Sequence, residues 1–311
     1  MARPTFPKTL REFRERFADE AACYEYLIQS RWPEGIVCPR CQGRKFWRRS
    51  RRWLHQCRSC GYEVSPTAGT LLQDSHMPVR EWFWTAYLVA THTPGLSAKQ
   101  LQRQLGCSYK TAWYMLHRLR RAMVNEARSK LQGTGEADET FIGGPVEGLH
   151  GRGVTASEIK TLVLGAVEVL RWRDEKGRSR ERAGRLRLTP APQADEQRIG
   201  QFLAENVEAG TTIKTDGWRG YSKTALSPYR HEPAPGQLAL HIHRAFGNLK
   251  TWLLGTHHGV DPKYLAHYLD EYVFRFNRRN TPMAAFQTLL GLAATKQPLG
   301  YDRLIAPASK G

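Results

Sequence analysis

The stretch Glu136-Ala137-Asp138-Glu139-Thr140-Phe141-Ile142-Gly143-Gly144 decides how the second half of the chain reads. Residues suited to a pleated strand run into a Gly-Gly turn, and an acidic side chain sits inside the strand. A carboxylate in such a place needs a partner or a metal to be tolerated. Downstream, Thr161 to Leu170 reads as a second strand, and a charged hairpin tip from Asp174 to Arg182 feeds a third near Arg185 to Leu188. Asp195 to Val207 has helical spacing, and Thr211 to Thr215 is a short strand running into Asp216-Gly217. Helices fill the remainder, including His241 to Leu254 and Pro262 to Arg278. Three strands, a helix, a strand and then helices is the order of a ribonuclease-H-like α/β sheet, although periodicity alone does not establish that fold.

Toward the N-terminus, Leu131-Gln132-Gly133-Thr134-Gly135 reads as a linker. Before it, Ser97 to Met123 forms two helical patterns split by Gly106: Leu101 and Leu105 share one face, then Ala112, Met115, Leu116 and Leu119 share the next. Ser108 fits the cap of the second helix, which predicts a helix-turn-helix with Tyr109, Lys110 and Thr111, followed by Trp113, where a recognition helix meets the major groove. Pro78 to about Val89 is helical up to Thr93-Pro94-Gly95. Leu10, Phe13, Phe17, Ala21 and Tyr24 predict a single amphipathic helix over 8–30, ended by Trp32-Pro33-Glu34-Gly35.

Between these helices lie Cys38-Pro39-Arg40-Cys41 and Cys57-Arg58-Ser59-Cys60, two C-x-x-C pairs separated by 15 residues. Two tight turns at this spacing present four thiolates to one zinc ion. So short a segment, with Trp47, Trp53 and Tyr62 as its main bulky groups, cannot bury a core of its own, so metal binding supplies its folding free energy. Arg48, Arg49, Arg51 and Arg52 between the pairs suit phosphate contact, while the aromatics pack the ribbon. Cys23 and Cys107 lack such spacing and read as small core residues.

Charge agrees with a nucleic-acid partner. The 311-residue chain carries a formal net charge of +18. Residues 1–130 hold 23 basic against 10 acidic side chains, and the remainder 24 against 19. The front segment is therefore the electrostatic grip and the back is closer to an ordinary enzyme domain. An apolar content of 41% suffices for a sizeable core, and no apolar run is long enough to span a membrane, so a soluble intracellular protein is expected.

Asp138 in its strand and Asp216 at the end of another can share divalent cations, although either alone is more often a cap or turn residue. The zinc ribbon, the E-A-D-E-T-F-I-G-G strand, the K-T-D-G-W-R-G-Y turn at 214–221 and the stretch L-K-T-W-L-L-G-T-H-H-G-V through Y-L-D-E-Y-V-F-R-F-N-R-R together resemble insertion-sequence transposases of the 1595 family, with their ISXO-type domain. The resemblance covers about residues 10–290. It implies a ribonuclease-H fold, two Mg2+ or Mn2+ ions, and cleavage and strand transfer at the ends of a mobile element.

By that carry-over Asp138 and Asp216 are the first two metal-binding carboxylates, and Lys250 is the basic residue that follows the third ligand by seven. The chain departs from the usual Asp-Asp-Glu there. His243 stands seven before Lys250, no Glu lies between Glu232 and Glu271, and Asn248 competes for the role. His243 and Lys250 share a helix face, within about 20 degrees. Loss of one negative charge weakens magnesium binding or favours manganese. Leu265, Tyr268, Leu269, Tyr272, Phe274 and Phe276 read as the core face of the closing helix, with Arg275, Arg278 and Arg279 turned outward to phosphates.

The expected plan is a helical segment over 1–35, a zinc ribbon over 36–68, a helix-turn-helix over 76–130, a ribonuclease-H-like domain over 135–290 and a tail over 291–311. The expected partners are double-stranded element ends and target DNA, with at least a dimer to bring two ends together. Such a protein works in the bacterial cytoplasm, on the nucleoid when bound to DNA. Two competing readings are an inactive, transposase-derived DNA-binding regulator and a nuclease or resolvase that cleaves without joining.

Overall fold

The computed structural model describes residues 6–49, 53–124, 128–143, 160–233, 239–295 and 300, without the side chains of 292, 294 and 295. Two compact units divide the chain: residues 1–125 with 278–311, and residues 126–277.

In the first unit the expected single helix over 8–30 is two, α1 (Leu10–Arg16) and α2 (Glu20–Arg31). Asp19 causes the break. Its carboxylate accepts from the Ala22 amide at 2.9 Å and starts a new helix, as the Thr9 hydroxyl does for Glu12 at 3.1 Å. Three short antiparallel strands follow, β1 (Phe46–Arg48), β2 (His55–Cys57) and β3 (Glu63–Val64). Next come α3 (Val79–Thr91), α4 (Ala98–Leu105) and α5 (Tyr109–Met123). Gly106 separates the last two in the left-handed region, at φ 63°, and Ser97 and Ser108 cap them.

The core of this unit is aromatic. Phe13 lies 4.4 Å from Tyr87, and Phe17 lies 4.9 Å from Phe83, centroid to centroid. Phe286, on the late helix Pro282–Thr295, sits 5.6 Å from Phe13. That helix packs on α2, α3 and α5. The second unit closes at Asn277, short of the residue 290 expected for the catalytic domain, because the apolar side of Pro282–Thr295 finds its partners among the N-terminal aromatics.

The second unit is a five-stranded sheet built from β4 (Thr134–Gly143), β5 (Lys160–Arg173), β6 (Ser179–Ala191), β7 (Thr212–Thr215) and β8 (Arg230–Pro233). The spatial order is β6-β5-β4-β7-β8. The first three strands form an antiparallel meander, and β7 and β8 run parallel to β4. Gly135, expected in a linker, is already inside β4, and the exposed strand β8 carries no apolar alternation to betray it.

Helix α6 (Glu196–Asn206) covers one face through Ile199, Phe202 and Leu203. Helices α7 (Leu240–His257) and α8 (Leu265–Asn277) cover the other through Ile242, Phe246, Leu249, Leu265, Tyr268 and Leu269. Each such large apolar side chain stabilises the fold by roughly 1.5–3 kcal/mol. Gly165 lets α7 approach closely, since a Cβ there would stand 2.6 Å from the Phe246 ring.

Arg275 corrects an expectation. It is nearly buried, 3.8 Å from Glu271, and burial lowers its pKa, so it belongs to the helix packing rather than to an outward basic edge. The late helix Pro282–Thr295 is α9. Among the described residues, no helix is long and apolar enough to cross a membrane.

Candidate active site and zinc site

Alternation along β4 sends Glu136 and Asp138 to the α7 face, and Ala137 and Glu139 to the α6 face. Glu136, buried, accepts from the amides of His241 at 2.8 Å and Ile242 at 3.0 Å. These are orphan donors of the first turn of α7, whose own N-cap, Ala239, has no side chain to bond them. A distant glutamate does the same for α3, where Glu20 accepts from Val79 and Arg80.

With α7 pinned in this way, His243 Nε2 lies 2.9 Å from Asp138 Oδ2. The other oxygen of Asp138 accepts from the Glu139 amide at 2.8 Å. Burial raises the Asp138 pKa, with Asp216 and Glu136 adding to it, while the Glu139 amide and His243 oppose the shift. A buried carboxylate under this strain suits a divalent cation, which would stabilise its charged form.

Asp216 follows β7 directly and is exposed. It accepts from the Trp218 amide at 2.8 Å, and Gly217 turns the chain at φ 82°. β7 pairs with β4 at Thr134–Thr212, Gly135–Ile213 and Glu136–Lys214. The pairing stops there; two residues farther along the same register would bring Asp138 beside Asp216, which follows the end of β7 as irregular backbone. Their proximity registers electrostatically, since Asp216 raises the pKa of both Asp138 and Glu139.

Glu139 was not singled out in the sequence. Its carboxyl is pushed up to about 7, first by burial and then by Asp138, and the Tyr221 hydroxyl donates to it at 3.1 Å. Glu136 was overlooked too, although its place two residues before Asp138 is a readable sign of a shared face.

Lys250 is exposed on α7, about 10 Å beyond His243 along the axis and on the same flank. Asn248 is exposed as well, but it lies about 140 degrees around the helix from His243. The structure thus brings His243, and not Asn248, to Asp138. Among the described residues, the four cysteines are the one group of three or more such side chains gathered within 4.8 Å. The carboxylates and His243 do not reach that closeness.

The cysteines form two matching turns. The Gln42 amide donates to Cys38 O and the Gly61 amide to Cys57 O, and both Gln42 and Gly61 have positive φ. Sγ atoms stand 3.6 Å apart for Cys38 and Cys60, and 3.5 Å apart for Cys41 and Cys57. A tetrahedral zinc site with Zn–S near 2.3 Å has edges of about 3.8 Å, so the set fits zinc. Gly43 packs tightly beside it: a Cβ there would stand 3.2 Å from Ser59 Oγ and 3.3 Å from the Cys41 and Cys57 sulfurs. The backbone amides of Cys60 and Ser59 lower the pKa of the Cys57 thiol, whereas at Cys41 the Gly43 amide is outweighed by the Cys60 and Cys57 thiols and the pKa rises, so negative charge in the cluster gathers first on Cys57. Cys23 is the opposite case, buried and pushed up to about 12 by desolvation.

Of the residues expected to meet DNA, Tyr109 and Lys110 are exposed at the start of α5, and Thr111 takes part in the Ser108 cap. Arg48 lies 3.4 Å from Glu25 and its guanidinium 4.4 Å from the Trp53 ring. Arg49 donates to Gln56. Arg51 and Arg52 fall outside the described residues.

Residues 130–277 match the ISXO2-like transposase domain, and residues 18–63 match the transposase zinc-ribbon domain. The chain is 25% identical over 280 residues to an uncharacterized protein in transposable element ISH50 of Halobacterium salinarum, covering 83% of this chain and 91% of that protein. No solved structure matches it.

Proposed function

This chain belongs to the IS1595 family of transposases, and on that premise we propose that it binds the ends of an insertion sequence and catalyses metal-dependent DNA cleavage and strand transfer. The observation that carries the reading is the 2.9 Å contact of His243 with Asp138, on a strand whose parallel neighbour β7 runs directly into Asp216. The sheet order of third, second, first, fourth and fifth strand, with the last two parallel to the first, supports a ribonuclease-H-like domain.

Asp138, Asp216 and His243 would hold two Mg2+ or Mn2+ ions. Such ions supply Lewis acidity that activates a water, and then a DNA 3′-hydroxyl, for in-line attack on phosphorus. Glu136 sets the height of α7 and so the reach of His243. Lys250, farther along the same flank, holds the DNA backbone. The zinc ribbon and the α4–Gly106–α5 pair act as the DNA grip, with Tyr109, Lys110 and Thr111 at the groove and Arg48, Arg49, Arg51 and Arg52 toward phosphates. Two ends must meet, so the working form is at least a dimer on the nucleoid.

The test is a strand-transfer assay with labelled element ends and either metal. The parent should join ends to target, and Asp138→Ala or Asp216→Ala should abolish joining while binding persists. Binding without any joining by the parent would replace this reading with that of a regulator, and cleavage without joining with that of a nuclease.

A further inference from the structure

The hairpin between β5 and β6 outruns its sheet. β4 accompanies β5 only as far as Gly135 opposite Glu168, yet β5 and β6 stay paired from Val169–Ala183 to Arg173–Ser179. Cross-strand partners share a face and successive pairs alternate. One face of this arm therefore holds Leu170, Trp172, Arg180 and Arg182, and the other Arg171, Arg173, Ser179 and Glu181.

Leu170 and Trp172 are 42% and 45% exposed, and the Arg182 guanidinium stands 5.6 Å from the Trp172 ring. Segment 170–182 has five arginines and Lys176 against Asp174, Glu175 and Glu181. Two of those acids are engaged within the unit. Asp174 ties the turn, accepting from the amides of Lys176 and Arg178 and from both the Arg178 and Arg180 side chains. Glu181 pairs with Arg171 at 3.4 Å and His241 at 3.3 Å.

We propose that this arm is a binding site for duplex DNA: lying in a groove, it meets phosphates from both faces, with Arg182 beside Trp172 on one and Arg173 on the other. A merely solvated ribbon gains nothing from large apolar groups left in water beside planar guanidinium forks. Those forks match phosphate geometry, and a two-stranded ribbon fits a groove. Asp138 sits opposite Gly165, and Trp172 lies seven residues farther along β5. At about 3.4 Å per residue that is about 24 Å, or roughly seven base pairs of duplex. The arm would thus touch DNA well away from the reacting phosphate. The inference rests on the DNA reading above.

The test is fluorescence anisotropy of the full chain on a labelled duplex across a salt series. Replacing two phosphate contacts by Arg173→Gln with Arg182→Gln should flatten the slope of log affinity against log salt by about 1.8, and weaken binding roughly 30-fold at 0.15 M relative to 1 M. Arg173→Lys with Arg182→Lys should restore the slope. Trp172→Ala should weaken binding and leave the slope unchanged. Should the glutamine pair fail to fold, Arg173→Gln alone is read for a change of about 0.9. If the parent binds duplex and the folded glutamine variants match it in slope and affinity, or if lysine fails to restore the slope, the arm is overturned and the proposed function stands. If the parent binds no duplex, the functional reading itself fails.

Discussion

Replacing Glu136 with alanine should damage the second unit from a position that touches no substrate. Its carboxylate bonds two buried amides at the start of α7, at 2.8 and 3.0 Å. Leaving both unsatisfied costs about 1–3 kcal/mol each, and the lost charge at the helix N-terminus adds about 0.3–1 kcal/mol. Partial relaxation brings the expected loss to about 3 kcal/mol, which in a unit of this size lowers the melting temperature by about 6–12 °C. Glu136→Gln keeps an acceptor oxygen and loses only the charge, so it should cost about 1 kcal/mol. Calorimetry of the full chain measures both, and the joining assay should fall in the same order as His243 loses its fixed distance to Asp138. If alanine melts within a degree of the parent, or if glutamine is as harmful as alanine, Glu136 does not hold α7.

Glu168 predicts a pH dependence. Burial raises its pKa, but the Arg185 side chain and the amides of Gln132 and Arg185 outweigh it and hold the carboxyl below 4.5. A depressed carboxyl contributes stability that is present above the unfolded pKa and lost as pH falls through the folded one. Glu168→Gln should therefore cost about 1.5–3 kcal/mol at pH 7, with the difference shrinking as pH falls below about 4.5 and gone only below the folded pKa, as read by urea titration at each pH. Chelation, or Cys57→Ser, should remove zinc from the chain and melt the ribbon, seen together in metal content and circular dichroism; a ribbon that persists without metal contradicts the reading. His243→Ala should raise the metal concentration needed for joining and His243→Glu should shift preference from manganese toward magnesium, while Asn248→Ala stays near the parent. The reverse pattern would make Asn248 the third ligand.

Features set by short-range physics were legible in the residues. The C-x-x-C turns, the Gly106 break and the succession of strands and helix along the chain from Asp138 to Asp216 follow from local spacing and period. What escaped is long-range. Nothing near Ala239 announces that Glu136, 105 residues before His241, caps its helix. The apolar spacing of Phe286, Leu289 and Leu290 marks a buried face without saying which unit buries it. The break between α1 and α2 was readable from Asp19, but the apolar period continued across it and hid the cap.

That late helix has a consequence for synthesis. The first unit cannot complete its aromatic core until the ribosome has delivered Phe286, long after Phe13 and Phe83 have emerged. The whole second unit is made during that wait, so it can fold first, while its elder neighbour stays open. A nascent chain stalled before residue 282 should present an unfinished N-terminal unit, protease-sensitive beside a resistant sheet.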